Sequence, residues 1–111
     1  QLREPMRRER GYAYVRERAG LQAATSAPLL GLFAKHDLPY EIDRTPETEP
    51  SLAEMAAKAL QLLSAEGRGF FLLVEGSKID TAASANDAAA HVREVLAFDE
   101  AVGAVLRWAQ R

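Results

Sequence analysis

The chain has 111 residues, of which 48% are hydrophobic, 27% charged and 7% aromatic, the profile of an ordinary globular sequence of at most one domain. Fourteen lysines and arginines against sixteen acids leave a formal charge of −2, too balanced to grip a nucleic-acid backbone, so no nucleic-acid partner is expected. The absence of cysteine excludes a disulfide scaffold, a thiolate zinc site and cysteine nucleophile chemistry, and the longest strongly apolar run, Phe70 to Val74, falls far short of the roughly 20 residues that cross a bilayer.

Residues 1 to 10 are charge-dense and hold Pro5, which reads as a solvated lead-in or the tail of a helix ended by Gly11. Tyr12, Tyr14 and Val15 fit a short strand, and Leu29 to Phe33, introduced by Pro28, fit a second, with a short alanine-rich connection between them. From His36 to Pro50, three prolines and several acids predict a long surface loop with at most a turn or two. Ser51 then starts a helix over about residues 51–65. Glu54 stands three positions after it, as a capping box requires, and Leu52, Met55, Ala56, Ala59, Leu60 and Leu63 form an apolar stripe.

Gly67 and Gly69 break that helix, and Phe70 to Val74 follow without polar alternation, which predicts a central parallel strand covered on both faces. After the Glu75-Gly76 turn and a second alanine-rich connection, Asn86 and Asp87 offer N-caps for a long helix. Its buried stripe is predicted to be Val92, Val95, Leu96, Val102, Val105, Leu106 and Ala109. The order of strands and helices indicates an α/β fold, a partial three-layer sandwich with a mainly parallel sheet. Because the sequence opens on Gln1 and closes on Arg111 inside an amphipathic pattern, the expectation is a single incomplete domain over residues 1–111, unfinished at both ends.

In open α/β sheets ligands bind beyond the carboxyl ends of the strands, where the apolar run delivers Glu75 and then, past flexible Gly76, Asp80. An ionised carboxylate beside such a run needs a cation or several hydrogen-bond donors, since desolvation otherwise neutralises it. Metal binding is therefore one reading of this pair, and capping of the next segment or plain solvent exposure is the other.

The residues Glu75-Gly76-Ser77-Lys78-Ile79-Asp80, together with Pro50 to Met55, Gly69 to Val74 and Phe98-Asp99-Glu100-Ala101, resemble alkaline phosphatases. Leu30-Gly31-Leu32-Phe33 and Tyr40-Glu41-Ile42-Asp43-Arg44 extend the resemblance upstream, so that it covers the chain from about Gly11 onward. It implies a site of two zinc ions and one magnesium, displacement of phosphate from monoesters through a phosphoserine, a homodimeric parent and a periplasmic or extracellular setting. It also implies that Glu75 is a magnesium ligand and Asp80 a zinc ligand. Where the family places a zinc-ligand histidine four residues after the aspartate, this sequence has Ser84, and a neutral hydroxyl is a poor zinc ligand. Mammalian-type members hold calcium through the region of Phe33 to Glu49; Phe33 and Glu49 match, whereas Ala34 replaces an acid.

The family's nucleophile motif, Asp-Ser-Ala or Asp-Ser-Gly, and its downstream Thr-Ala-Asp-His motif are absent from this sequence. Asp80-Thr81-Ala82 imitates the first, but Thr81 follows the expected strand end by six residues, too late for a strand-to-helix elbow, so no nucleophile is assigned to it. His36 reads as a solvated loop residue and His91 as a half-exposed helix residue. The expectation is thus a fragment of a metal-dependent phosphatase, inactive alone; the alternative is a noncatalytic α/β structural or interaction module derived from that fold.

Overall fold

The computed structural model describes residues 10–111, so the lead-in expected over residues 1 to 10 lies, apart from Arg10, outside the described residues. The two short strands form where the sequence places them. β1 (Ala13–Val15) and β2 (Leu29–Gly31) pair in parallel, with Ala13 opposite Leu29, Tyr14 opposite Leu30 and Val15 opposite Gly31. A parallel pair needs a crossover. That crossover contains a helix the sequence did not announce, α1 (Arg18–Ala23).

Six residues are too few to hold a helix by local hydrogen bonds, so α1 depends on its surroundings. The Arg18 amide donates to the Thr48 carbonyl at 2.7 Å, and the Lys58 ammonium donates to the carbonyls of Gln22 and Ala24, each at 3.0 Å. This last contact satisfies acceptors that a helix C-terminus leaves open. The long loop then follows, with a single 3-10 turn at Glu41–Asp43.

The helix α2 (Leu52–Ala65) begins at the expected capping box. The Ser51 hydroxyl accepts from the Glu54 amide at 3.2 Å, and the Glu54 carboxylate accepts from the Ser51 amide at 3.0 Å. Ala56 and Leu60 of the expected stripe are buried, joined by Leu62. Next come α3 (Lys78–Ser84), which occupies the second alanine-rich connection, and α4 (Ala88–Ala109). Between these two helices Asn86 takes the left-handed backbone, φ 57°, and its amide and that of Asp87 return to the carbonyls of Ala83 and Ala82. Asn86 thus closes α3 in a Schellman turn, and Asp87 alone caps α4, accepting from the Ala90 amide at 3.0 Å.

Two expectations are corrected here. Phe70 to Val74 is not a central strand among the described residues: it belongs to no ladder, and Phe71 and Leu73 are 88% and 77% exposed. Among the described residues the sheet consists of β1 and β2 and this run has no partner for its backbone, while its exposure still alternates with the period of a strand. The stripe on α4 is the second. Val92, Val95, Leu96, Val102 and Leu106 are exposed, and the buried positions are Ala90 and Ala101. α4 packs mainly against α2 and α3, and small side chains at those positions let the backbones approach closely.

Candidate metal-ligand segment and its cavity

Glu75 lies at the end of the apolar run and Asp80 in the first turn of α3, so a three-residue helix entry separates the turn at Gly76 from the second carboxylate. Both carboxylates belong to exposed residues. Glu75, Gly76, Ser77 and Lys78 line a cavity of about 370 Å³, whose other walls come from the loop at Phe33 to Pro39, from Leu52 and Met55 of α2 and from Glu94 and Ala97 of α4. Asp80 does not line it. Ser84 stands one helical turn beyond Asp80 on α3 and is also exposed.

The entry to α3 is fixed from two sides. On one side Gly76 is pressed against α4, where a Cβ would come within 2.9 Å of the Phe98 ring and 3.1 Å of Ile79. On the other side the Lys78 ammonium donates a hydrogen bond to the Asp37 carboxylate and lies 5.0 Å from the centre of the Tyr40 ring. The hydrogen bond to Lys78 lowers the Asp37 pKa from its ordinary value, and the same bond raises that of Lys78, so both stay charged around neutrality. The loop that supplies Asp37 and Tyr40 is itself anchored. The Glu41 amide donates to the Glu94 carboxylate of α4 at 2.6 Å, and the Arg44 guanidinium donates to both carboxylate oxygens of Glu41 at 2.9 Å.

The remaining residues singled out in the sequence occupy ordinary positions. Thr81 donates its hydroxyl to the Ser77 carbonyl at 3.4 Å, a bond back along its own helix. His36 is exposed at the cavity wall, and His91 is half-buried on α4. Phe33 also lines the cavity, while one Glu49 oxygen accepts from the Thr45 amide at 2.7 Å, so that acid staples its loop to itself. The contacts of Asp37, Tyr40 and Glu94 were missed by sequence reasoning. Lys78 and Asp37 are opposite charges 41 positions apart, and no local spacing reports such a pairing.

A family model for alkaline phosphatase matches residues 1–111. The chain belongs to the alkaline phosphatase family. It is 44% identical to the repressible alkaline phosphatase of Saccharomyces cerevisiae, over 90% of this chain and 20% of that protein. Alkaline phosphatase 4 of Bacillus subtilis is 38% identical over 94% of the chain and 22% of the relative. The crystal structure of a cold-active alkaline phosphatase from a psychrophilic Shewanella superposes with a TM-score of 0.84 at 39% identity, over 92% of this chain and 25% of that one. The chain therefore spans about a fifth to a quarter of the length of these alkaline phosphatases.

Alkaline phosphatases are in general metal-dependent, which raises the question of what this chain can offer a metal. Carboxylates suit both magnesium and zinc, so Glu75 and Asp80 are donors of the right kind. The donor set is nevertheless incomplete. Among the described residues no group of three or more His, Cys, Asp or Glu side chains converges on a metal position, and zinc takes at least three protein ligands.

Proposed function

We propose that this chain is one segment of a phosphomonoesterase, in which Glu75 binds magnesium and Asp80 binds zinc at a site completed by residues outside these 111. The observation that supports this reading most is the family match along the whole chain, combined with its coverage of only about a fifth of the curated relatives. The metals, when bound, supply electrostatic stabilisation of the phosphoryl group and activation of the attacking oxygen. This chain's own part is to present two carboxylates from one short turn and helix. The serine that becomes phosphorylated belongs to sequence not found here, so the chain alone does not turn over.

A chimera tests this reading. The 111 residues replace the matching segment of the yeast repressible alkaline phosphatase, and hydrolysis of a simple phosphomonoester is followed with zinc and magnesium present. The chimera is expected to turn over and to lose at least about 100-fold in rate on Glu75→Ala or Asp80→Ala, because members of a catalytic unit are not additive. Turnover by the 111-residue chain alone would sink the fragment reading.

Ser84 favours a second reading, a noncatalytic module that has lost a metal ligand. Calorimetry on the chimera separates the two. Loss of one bound zinc on Asp80→Ala contradicts the noncatalytic module, whereas a zinc count that neither Asp80→Ala nor Ser84→His changes supports it.

A further inference from the structure

We propose that Asp37, Lys78 and Tyr40 act as a positioning strut that holds the turn between Glu75 and Asp80, so that the two carboxylates keep a fixed relation to each other. The inference rests on the reading of Glu75 and Asp80 as metal ligands. Left to itself, α3 is weak at its start. This helix has seven residues, and its N-cap, Ser77, makes no side-chain capping bond, so neither length nor capping secures its first turn. Asp80 lies in that first turn.

Lys78 is the first residue of α3, three positions after Glu75 and two before Asp80, and its side chain is the point at which the turn meets the loop. Its side chain is only 20% exposed, although its partner Asp37 is 71% exposed, so the ammonium is held while the carboxylate faces water. The Tyr40 ring supplies a second, independent hold at 5.0 Å, within the range of a cation–π contact. Tyr40 is no loose anchor, because Glu41 beside it is bonded to Glu94 of α4. The links therefore close a ring, from α4 through Glu94, Glu41 and Tyr40 to Lys78 and α3, and from α3 through Gly76 and Phe98 back to α4.

The effect of such a strut is local. Ion pairs open to solvent contribute little to overall stability, so the contact's role lies in orienting the turn and not in holding the molecule together. The pairing also leaves the Lys78 charge compensated, which matters beside two carboxylates that attract a cation.

Amide hydrogen exchange in the chimeric phosphatase tests the strut without reference to catalysis. Lys78→Met and Asp37→Asn are expected to speed exchange of the Ile79 to Ala82 amides by about 3- to 10-fold, while slower-exchanging amides of α2 keep their rates. Lys78→Arg is expected to restore the wild-type pattern, since a guanidinium can both bond Asp37 and stack on Tyr40. Unchanged exchange in Lys78→Met, or acceleration spread evenly through α2 and α4, would overturn the proposal. In the chimeric phosphatase, Lys78→Met is expected to raise the metal concentration for half-activation by about 10-fold, the size of effect seen when the support of a ligand is lost, with the rate at saturating metal nearly unchanged. Faster exchange without any change in metal requirement would leave the strut standing and overturn the assignment of Glu75 and Asp80 as ligands.

Discussion

Glu54 shows how much one side chain in this chain can organise. Its Oε1 accepts from the Nε and Nη2 of Arg18 at 2.8 and 2.6 Å, while Oε2 accepts from the Ser51 amide, so one carboxylate joins α1 to the start of α2. The Arg18 hydrogen bond, aided by the Ser51 amide, lowers its pKa below the ordinary 4.5. A carboxylate lowered in the folded state stabilises the fold above its unfolded pKa, and that contribution is lost as pH falls through the lowered value. Thermal melts of the chain and of Glu54→Gln should therefore differ most above about pH 4.5 and converge as the medium becomes more acidic, a window set by the 4.5 of the unfolded group. Equal slopes of melting temperature against pH in the two proteins would refute it. Ser84 calls for the opposite kind of test, a gain. It lies four residues after Asp80 on α3, so Ser84→His places an imidazole on the same side as that carboxylate. Zinc affinity of the chimeric phosphatase, measured by calorimetry, is expected to rise at least about 10-fold, since even an outer-shell partner is worth that much.

At the scale of elements, the close contact between the Gly76 turn and α4 makes a sharp prediction. A methyl at Gly76 would sit 2.9 Å from Phe98, on a ring and not on a flexible tip, so Gly76→Ala should destabilise the chain by about 1–3 kcal/mol in a denaturant titration. Phe98→Leu in the same molecule should recover part of that loss, and a strictly additive double variant would show that the two residues do not touch. The same packing explains what the sequence did and did not disclose. α2 was legible because its start signal, Ser51 with Glu54, is local, and α4 because Asp87 caps a long periodic run. α1 and α3 were not, since each is too short to form alone and is held by distant groups, Lys58 for one and Asp37 with Tyr40 for the other. The face of α4 was misread because large aliphatic residues outvoted Ala90 and Ala101, although close helix contacts select small side chains. For the candidate site, the carboxylates and their spacing could be read directly, whereas the loop that braces them could not, being brought there only by the fold.

At the scale of the whole molecule, the described residues enclose a thin interior. Among the described residues the buried hydrophobic side chains are Leu21, Leu60, Leu62 and the alanines 56, 82, 90 and 101, joined by Pro50, and alanine buries little area. Against this, Phe71, Leu73 and five aliphatic residues along α4 are exposed, more apolar surface than scattered singles on a monomer would present. The anchoring of the apolar run at its start, where the Phe70 ring meets Trp108 edge-on at 5.9 Å, leaves Phe71 and Leu73 projecting beyond it. A run of unpaired backbone with outward apolar side chains is a template for pairing with another copy. The 111-residue chain studied by itself is therefore expected to self-associate, its mean mass in sedimentation equilibrium rising with concentration. Burying a phenylalanine or leucine side chain contributes about 1.5–3 kcal/mol, so Phe71→Ser with Leu73→Thr should weaken association at least about tenfold. Both side chains already face water in the monomer, so the melting temperature measured at the lowest concentrations should hardly move. A chain that stays monomeric at every concentration would refute the expectation, and a double variant that associates as strongly as its parent would place the contact elsewhere than in this run.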